Sequence, residues 1–143
     1  MTITVQDVFD QALHLMDEQN ESTGATITAD TKEYRSRTIS ILNTIIPRLY
    51  PYSSNYDRET AGRPKTIALD RGSYANPDFT QVIMLDDVYC MGVLPFYLAG
   101  HLLSGENETL SAWFMNQYRE AVAEVRRTTA ASFEKISTPY GLF

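Results

Sequence analysis

Few residues in this chain have the types and spacing that catalysis or metal binding requires. The two histidines, His14 and His101, lie far apart in the sequence, and Cys90 has no histidine or lysine beside it. A single cysteine in an apolar stretch is usually an inert core thiol. Glycine-rich phosphate loops, a nucleophile elbow and metalloprotease motifs do not occur in the sequence. We therefore expect no enzyme, no cofactor and no metal site.

One acidic pair could still act together with a histidine. Asp86 and Asp87 directly precede an apolar stretch that contains His101. A metal-assisted hydrolase that uses these three residues is an alternative, which metal bound to the purified protein would favour. Carboxylates at the start of a helix more often satisfy its free N–H groups and interact with its dipole. We interpret the pair as a helix cap.

Composition indicates one folded domain. The 143 residues are 43% apolar and 21% charged, which is enough for a packed core. The net charge of −6 argues against a protein whose main surface binds phosphate backbones. With one cysteine the chain forms no internal disulfide, which fits a reducing compartment. The uncharged stretch 88–105 contains Pro95 and three glycines, so we interpret it as buried core and expect neither a signal peptide nor a membrane segment.

Apolar residues recur at spacings of three and four in four segments, which predicts four helices. The first begins at about Thr4, where Thr4 and Asp7 resemble a capping box, and Asp30 is the predicted N-cap of the second. Pro47 should bend the second helix or end it near Ile46. The third and most buried helix follows Asp87 and should kink at Gly92 and Pro95, and the fourth runs from Asn107 to about Ala130.

The predicted fold is mainly α. It is a four-helix bundle-like domain at residues 1–131, with an irregular or short-strand excursion at about 51–85 and an extended C-terminal tail at 132–143. Thr66–Leu69 is as consistent with a strand as with extended packing. The tail has no helical period but is too apolar to remain free, so we expect it to dock on a partner. Its predicted docking residues are Phe133, Ile136, Tyr140, Leu142 and Phe143.

Charge and tyrosine content favour a subunit of an assembly. Residues 1–33 and 72–118 are strongly acidic, whereas residues 34–71 are basic. Such blocks could pair between copies, or folding could bring them together within one copy. Tyrosine is common in interfaces, and three tyrosines lie close together in LYPYSSNY. The predicted subunit-interface residues are Arg35, Arg37, Tyr52, Tyr56, Arg58 and Arg63.

Two segments resemble the head-to-tail connector, or adaptor, proteins of tailed phages and prophages. They are residues 30–53 and 85–122, a little over two fifths of the chain. The matching pieces are Asp30 to Tyr34, Arg37-Thr38, Ile41-Leu42-Asn43, Leu49 to Ser53, Leu85-Asp86-Asp87, Leu94 with Pro95, Ala99, His101-Leu102-Leu103, Glu106, and Gln117-Tyr118-Arg119-Glu120.

The resemblance implies a structural subunit of a phage neck ring. Such a subunit forms a homo-oligomeric ring of about twelve copies below the portal protein. It extends the DNA channel, with DNA only as non-specific cargo, and presents a surface to a tail-side neck or tail-terminator protein. The implied location is the virion neck, after assembly in the host cytoplasm. The alternative is an acidic helical regulatory or inhibitory binding protein that acts as a monomer or dimer, for which an acidic surface would suit DNA mimicry.

Overall fold

The computed structural model describes residues 2–18, 20–54, 68–74 and 76–137, with side chains up to residue 128. In these ranges the protein is mainly helical, as predicted, and contains no strand. The helix predicted after Asp87 is two helices, so the described residues form five α-helices instead of the four expected. They are α1 (Val5–Met16), α2 (Lys32–Leu49), α3 (Asp87–Gly92), α4 (Leu94–Leu102) and α5 (Glu108–Ser137), and a short 3-10 helix, Tyr50–Tyr52, follows α2.

The start of α1 is fixed by the predicted capping box. The backbone N–H of Asp7 donates to Oγ1 of Thr4 at 3.3 Å, and the N–H of Thr4 donates to the Asp7 carboxylate at 2.9 Å. Two further N–H groups of the first turn, those of Val5 and Gln6, donate to the Gln81 and Phe79 carbonyls, each at 3.0 Å. Segment 79–83 therefore satisfies groups that a helix start leaves unpaired. The apolar face of α1 is fully buried.

The start of α2 differs from the prediction. Thr31, not Asp30, occupies the N-cap position, and neither side chain caps the helix. The Thr31 hydroxyl is buried and donates to the Thr26 carbonyl at 2.6 Å, so it stabilises the preceding loop instead. At its other end α2 continues past Pro47 to Leu49 rather than stopping near Ile46.

The most apolar part of the chain forms α3 and α4, which are separated at Val93. Pro95 lies in the first turn of α4, where its missing N–H costs nothing, but it could not continue a helix from α3. The predicted kink is therefore a break. Leu94, Leu98 and Leu102 are fully buried, and α4 packs against each of the other four helices. This makes α4 the centre of the core, as the sequence predicted for this stretch.

Helix α5 begins at the predicted cap and is longer than predicted. Oδ1 of Asn107 accepts from the N–H of Leu110 at 3.0 Å. The helix continues to Ser137, so residues 132–137 are helical and the prediction that they belong to an extended tail is wrong. Residues 138–143 lie outside the described part of the chain.

The described part of the predicted excursion, residues 51–54, 68–74 and 76–85, is irregular apart from the end of the 3-10 helix and an isolated antiparallel bridge between Thr4 and Val82. Of the predicted strand Thr66–Leu69, residues 66 and 67 lie outside the described ranges. Leu69 is not in a strand, because its N–H and C=O are both bonded to the side chain of Asn43, at 2.8 and 2.7 Å. A side-chain amide thus replaces a neighbouring strand.

Contacts across α4 define the direction of its neighbours. Arg37 in α2 donates to the Leu102 carbonyl at the end of α4, at 3.1 Å. Thr44, two turns later in α2, contacts the hydroxyl of Tyr97 near the start of α4, at 2.7 Å. Helices α2 and α4 therefore run antiparallel.

Helix α5 is also antiparallel to α4. Ser111, at the start of α5, donates to the Gly100 carbonyl at 2.6 Å, and Tyr118, two turns later, packs on Tyr97 with ring centroids 5.0 Å apart. A Cβ at Gly100 would lie 2.6 Å from the sulfur of Met115, so glycine allows this close helix packing. Because both α2 and α5 oppose α4, they start at one end of the domain and run toward the other.

Candidate interaction surfaces

Two of the predicted interface arginines are engaged within the chain. Arg37 bonds the Leu102 carbonyl, and its guanidinium lies 3.5 Å from the carboxylate of Glu33. Arg35 donates to the Thr28 carbonyl at 3.1 Å. Arginine is well suited to the carbonyls that a helix end leaves free, so Arg37 stabilises the end of α4. Whether either arginine also contacts another subunit stays a prediction.

Tyr52 has a partner that the sequence did not suggest. Its ring is 45% exposed and lies under the guanidinium of Arg126, with 4.2 Å from the guanidinium carbon to the ring centroid. This cation–π contact joins the 3-10 helix to α5. The other predicted interface residues, Tyr56, Arg58 and Arg63, lie outside the described ranges.

The predicted docking tail is divided by the end of α5. Phe133 and Ile136 are part of the helical backbone, whereas Tyr140, Leu142 and Phe143 lie outside the described residues. Val125 is the last described side chain of α5 that packs on the core, and Arg127 and Thr128 are exposed. The helix then continues for nine more residues to Ser137. A portal-docking role for these residues stays a prediction.

The candidate hydrolase residues are separated in the fold. The Asp86 carboxylate accepts two bonds from Ser54, one from its N–H at 3.1 Å and one from its hydroxyl, and so ties the 3-10 helix to the start of α3. Asp86 holds the N-cap position of α3 but makes no side-chain cap bond, so the prediction that it caps through its carboxylate is wrong. Among the described residues no three His, Cys, Asp or Glu side chains form a group that could hold a metal ion.

Cys90 belongs to the packed interior, and the half-buried His101 lies at its edge. The His101 ring stacks on Tyr97 with centroids 4.4 Å apart, and burial lowers the pKa of His101. The Cys90 thiol is fully buried and contacts the Leu85 carbonyl at 3.6 Å, and burial raises its pKa to about 12. A thiol held protonated in this way is a poor nucleophile.

Acidic side chains gather where α2 and α5 start, and we call this cluster the acidic end. Tyr34 donates to the Glu106 carboxylate at 2.5 Å, which joins the first turn of α2 to the turn before α5. Burial raises the pKa of Glu18, and the like charges of Glu106, Asp17 and Asp30 raise it further. The members of the acidic end are Asp17, Glu18, Asp30, Glu33 and Glu106.

Arginines gather at the other end of α2, and we call Arg48, Arg119 and Arg126 the basic end. Burial raises the pKa of Tyr118, and the positive charges of these three arginines oppose that rise. The described residues contain no carboxylate within ion-pair distance of any of them. Arg119 and Arg126 are close in the sequence, but Arg48 lies more than seventy residues before Arg119, so no local pattern predicts that it joins them.

An open groove of about 550 Å³ lies at the start of α5 and is mostly apolar. It is lined by Asn107, Thr109, Leu110 and Trp113, and the Trp113 side chain is 52% exposed. Other large apolar side chains are also exposed, including Leu15 and Ile27. An exposed aromatic side chain beside an apolar groove, such as Trp113, is typical of surfaces that a partner covers.

Comparisons with known proteins give this chain no relatives: no protein-family model, curated protein or solved structure matches it. In the described ranges, no helix is both long enough and apolar enough to span a bilayer.

Proposed function

We propose that this protein is a structural subunit of a phage neck ring, which binds below the portal protein, extends the DNA channel and presents a surface for tail attachment. The observation that carries the proposal is the exposed Trp113 in its apolar groove. Exposing half of a tryptophan is unfavourable for a free domain, and tryptophan is enriched where interfaces hold most of their binding energy. Trp113 lies inside one of the two segments that resemble connector proteins.

The long helix α5 supports the same proposal. It has 30 residues, which corresponds to about 45 Å. Arg126 and Arg127 are exposed on this helix beyond its core contact at Val125, so they can contact another protein. The proposed partners are further copies of this chain, the portal protein and a tail-side neck or tail-terminator protein. The proposed place of action is the virion neck.

The test uses the portal protein encoded in the same phage or prophage genome. We expect the purified chain to bind that portal and to form a ring visible by electron microscopy at the neck of assembled particles. A chain ending at Ser137 removes the residues beyond α5, and a chain ending at Ala131 also removes its last six helical residues. If the proposed docking tail is correct, portal binding falls in at least one of them while the helical circular dichroism signal persists.

Further variants test the Trp113 contact and the tail contact separately from the proposed function itself. Trp113→Ala should weaken ring or portal binding, whereas Trp113→Phe should retain part of it because an aromatic ring still fills the groove. A particle neck that lacks this chain would overturn the proposal. Full portal binding by both shortened chains would remove only the tail contact.

The alternative is an acidic binding protein that acts as a monomer or dimer, and the acidic end is the observation that favours it. A chain of this kind would compete with DNA for a DNA-binding partner. Its gene would lie away from portal and capsid genes, and sizing would show only a small species in the presence of portal protein.

A further inference from the structure

The two charged clusters lie at opposite ends of the domain. Glu33 and Arg48 are on the same helix, fifteen residues apart, which places their backbones about 22 Å apart along α2. Helix α5 runs in the same direction, with Glu106 just before its start and Arg126 beyond its middle. The domain is therefore electrically polar along α2 and α5.

Several charges of each cluster lack an ion-pair partner within the described part of the subunit. Glu33 is paired with Arg37, but Glu18 and Asp30 have no cation within ion-pair distance among the described residues. At the basic end, Arg119 bonds the neutral amide of Asn116, and Arg126 lies on an aromatic ring. Like charges held together raise the free energy of each cluster, and an opposite charge from outside would lower it.

Each end also carries exposed apolar surface beside its charges. Leu15 is 38% exposed one turn before Glu18, and Ile27 is 53% exposed in the loop that leads to Asp30. At the basic end the exposed Tyr52 ring lies under Arg126. Arginine and tyrosine with neighbouring apolar residues are the types enriched at the centres of protein interfaces.

We infer that the basic end of one subunit docks on the acidic end of a second copy of this chain, so that Arg48, Arg119 and Arg126 face Glu18, Asp30 and Glu106. The inference rests on the proposed function, because it names the surface through which neighbouring ring subunits meet. The occupant is a second copy because both complementary surfaces are present on the same polypeptide.

This contact is heterologous: each subunit uses one surface to bind a neighbour and a different surface to be bound. Such contacts close into rings when the rotation between neighbours allows it, and otherwise form open filaments. A two-fold axis through one charged end would bring like charges together, so neither end lies on such an axis. Association that stops at an antiparallel dimer, in which each basic end meets the partner's acidic end, would overturn the ring geometry.

Duplex DNA is a less suitable occupant of the basic end. Only three arginines form it, and Glu120 and Glu124 lie on the same helix. A phosphate backbone would also leave the acidic end without a partner. Binding to a DNA duplex therefore becomes an outcome of the test.

Charge reversal tests the inference. The basic variant R48E/R126E and the acidic variant E18K/D30K each turn the proposed attraction into repulsion. We expect each to weaken self-association of the full chain at low ionic strength by about tenfold or more, as measured by analytical ultracentrifugation. Rising salt should weaken the wild-type contact in the same way.

Restoring complementarity is the decisive measurement. Mixing the two variants makes each reversed end face an opposite charge again, and so does a single chain that carries all four substitutions. Both should recover most of the lost association. The control R71E reverses an exposed arginine in the irregular segment, which belongs to neither end, and should associate like the wild type. Circular dichroism establishes that every variant is folded.

Several outcomes would overturn the inference: a wild-type chain that stays monomeric at high concentration and low salt, association unchanged by both reversals, or no recovery in the mixture. DNA binding that is lost in R48E/R126E while association is unchanged would assign the basic end to nucleic acid. Neck rings whose copies meet through other surfaces would leave the proposed function intact and remove this contact. If the chain associates head to tail but is absent from the particle neck, the contact would stand and the proposed function would be wrong.

Discussion

Helix α4 and the segment 68–86 are held in place by different forces. The backbone of α4 bonds to itself, and its side chains are buried against the four other helices, so apolar packing decides its stability. The described residues of segment 68–86 form only an isolated bridge, and their backbone groups bond partly to the start of α1 and partly to polar side chains such as those of Asn43 and Gln81. The stability of α4 therefore depends on the volume of its buried side chains, whereas that of segment 68–86 depends on which polar groups its partners carry.

The largest expected effect is in α4. Leu98→Ala removes a fully buried side chain at the centre of the core and should lower the free energy of unfolding by about 2–5 kcal/mol, measured by urea denaturation. Val88→Ala is the control, because that side chain is 52% exposed and should cost less than about 1 kcal/mol. Equal losses in the two variants would contradict the assignment of α4 as the core.

A smaller effect is expected where Asn43 holds Leu69. Asn43→Ala leaves the N–H and C=O of Leu69 without their partner and should cost about 1–3 kcal/mol in urea denaturation. Asn43→Asp keeps the acceptor for the Leu69 N–H but loses the donor to the Leu69 carbonyl. The stability of this variant should therefore lie between those of the wild type and Asn43→Ala. If Asn43→Asp proved as stable as the wild type, the bond to the carbonyl would contribute nothing.

The smallest effect concerns the pH dependence of α4. Burial lowers the pKa of His101 below 6.5, so the folded state favours the neutral ring and loses stability as the pH falls below that value. Because His101 is partly exposed, solvent screening should keep this loss small. His101→Gln cannot be protonated, and its unfolding free energy should fall less between about pH 7 and pH 5. An identical pH dependence in wild type and variant would show that His101 is not the titrating group.

Local signals in the sequence predicted the helices and two of their starts. The capping box of Thr4 and Asp7 and the cap at Asn107 were correct because both are formed by residues within four positions. The start of α2 was predicted wrongly because Thr31 bonds the loop before it, a contact that a cap pattern does not show. The extent of α5 was underestimated, although the first proline after Asn107 is Pro139, so no helix breaker precedes Ser137.

The candidate surfaces depend on contacts between distant residues, and the sequence predicted them poorly. It indicated alternating charge blocks, but Glu106 joins Glu18 only because Tyr34 connects the starts of α2 and α5. In the same way Arg48 and Arg119 both lie near Tyr118 because α2 and α5 pack antiparallel to α4. The charge blocks can be read from the sequence, whereas the acidic end and the basic end form only when the chain is folded.

The two hydrogen bonds between the Asn43 side chain and the Leu69 backbone affect how the Leu69 amide exchanges its hydrogen. One side chain holds both backbone groups, so a single rotamer change releases the Leu69 amide while every helix remains intact. The Leu69 amide should therefore exchange with solvent through local opening, independently of denaturant, whereas amides of α4 should exchange only when the whole domain unfolds.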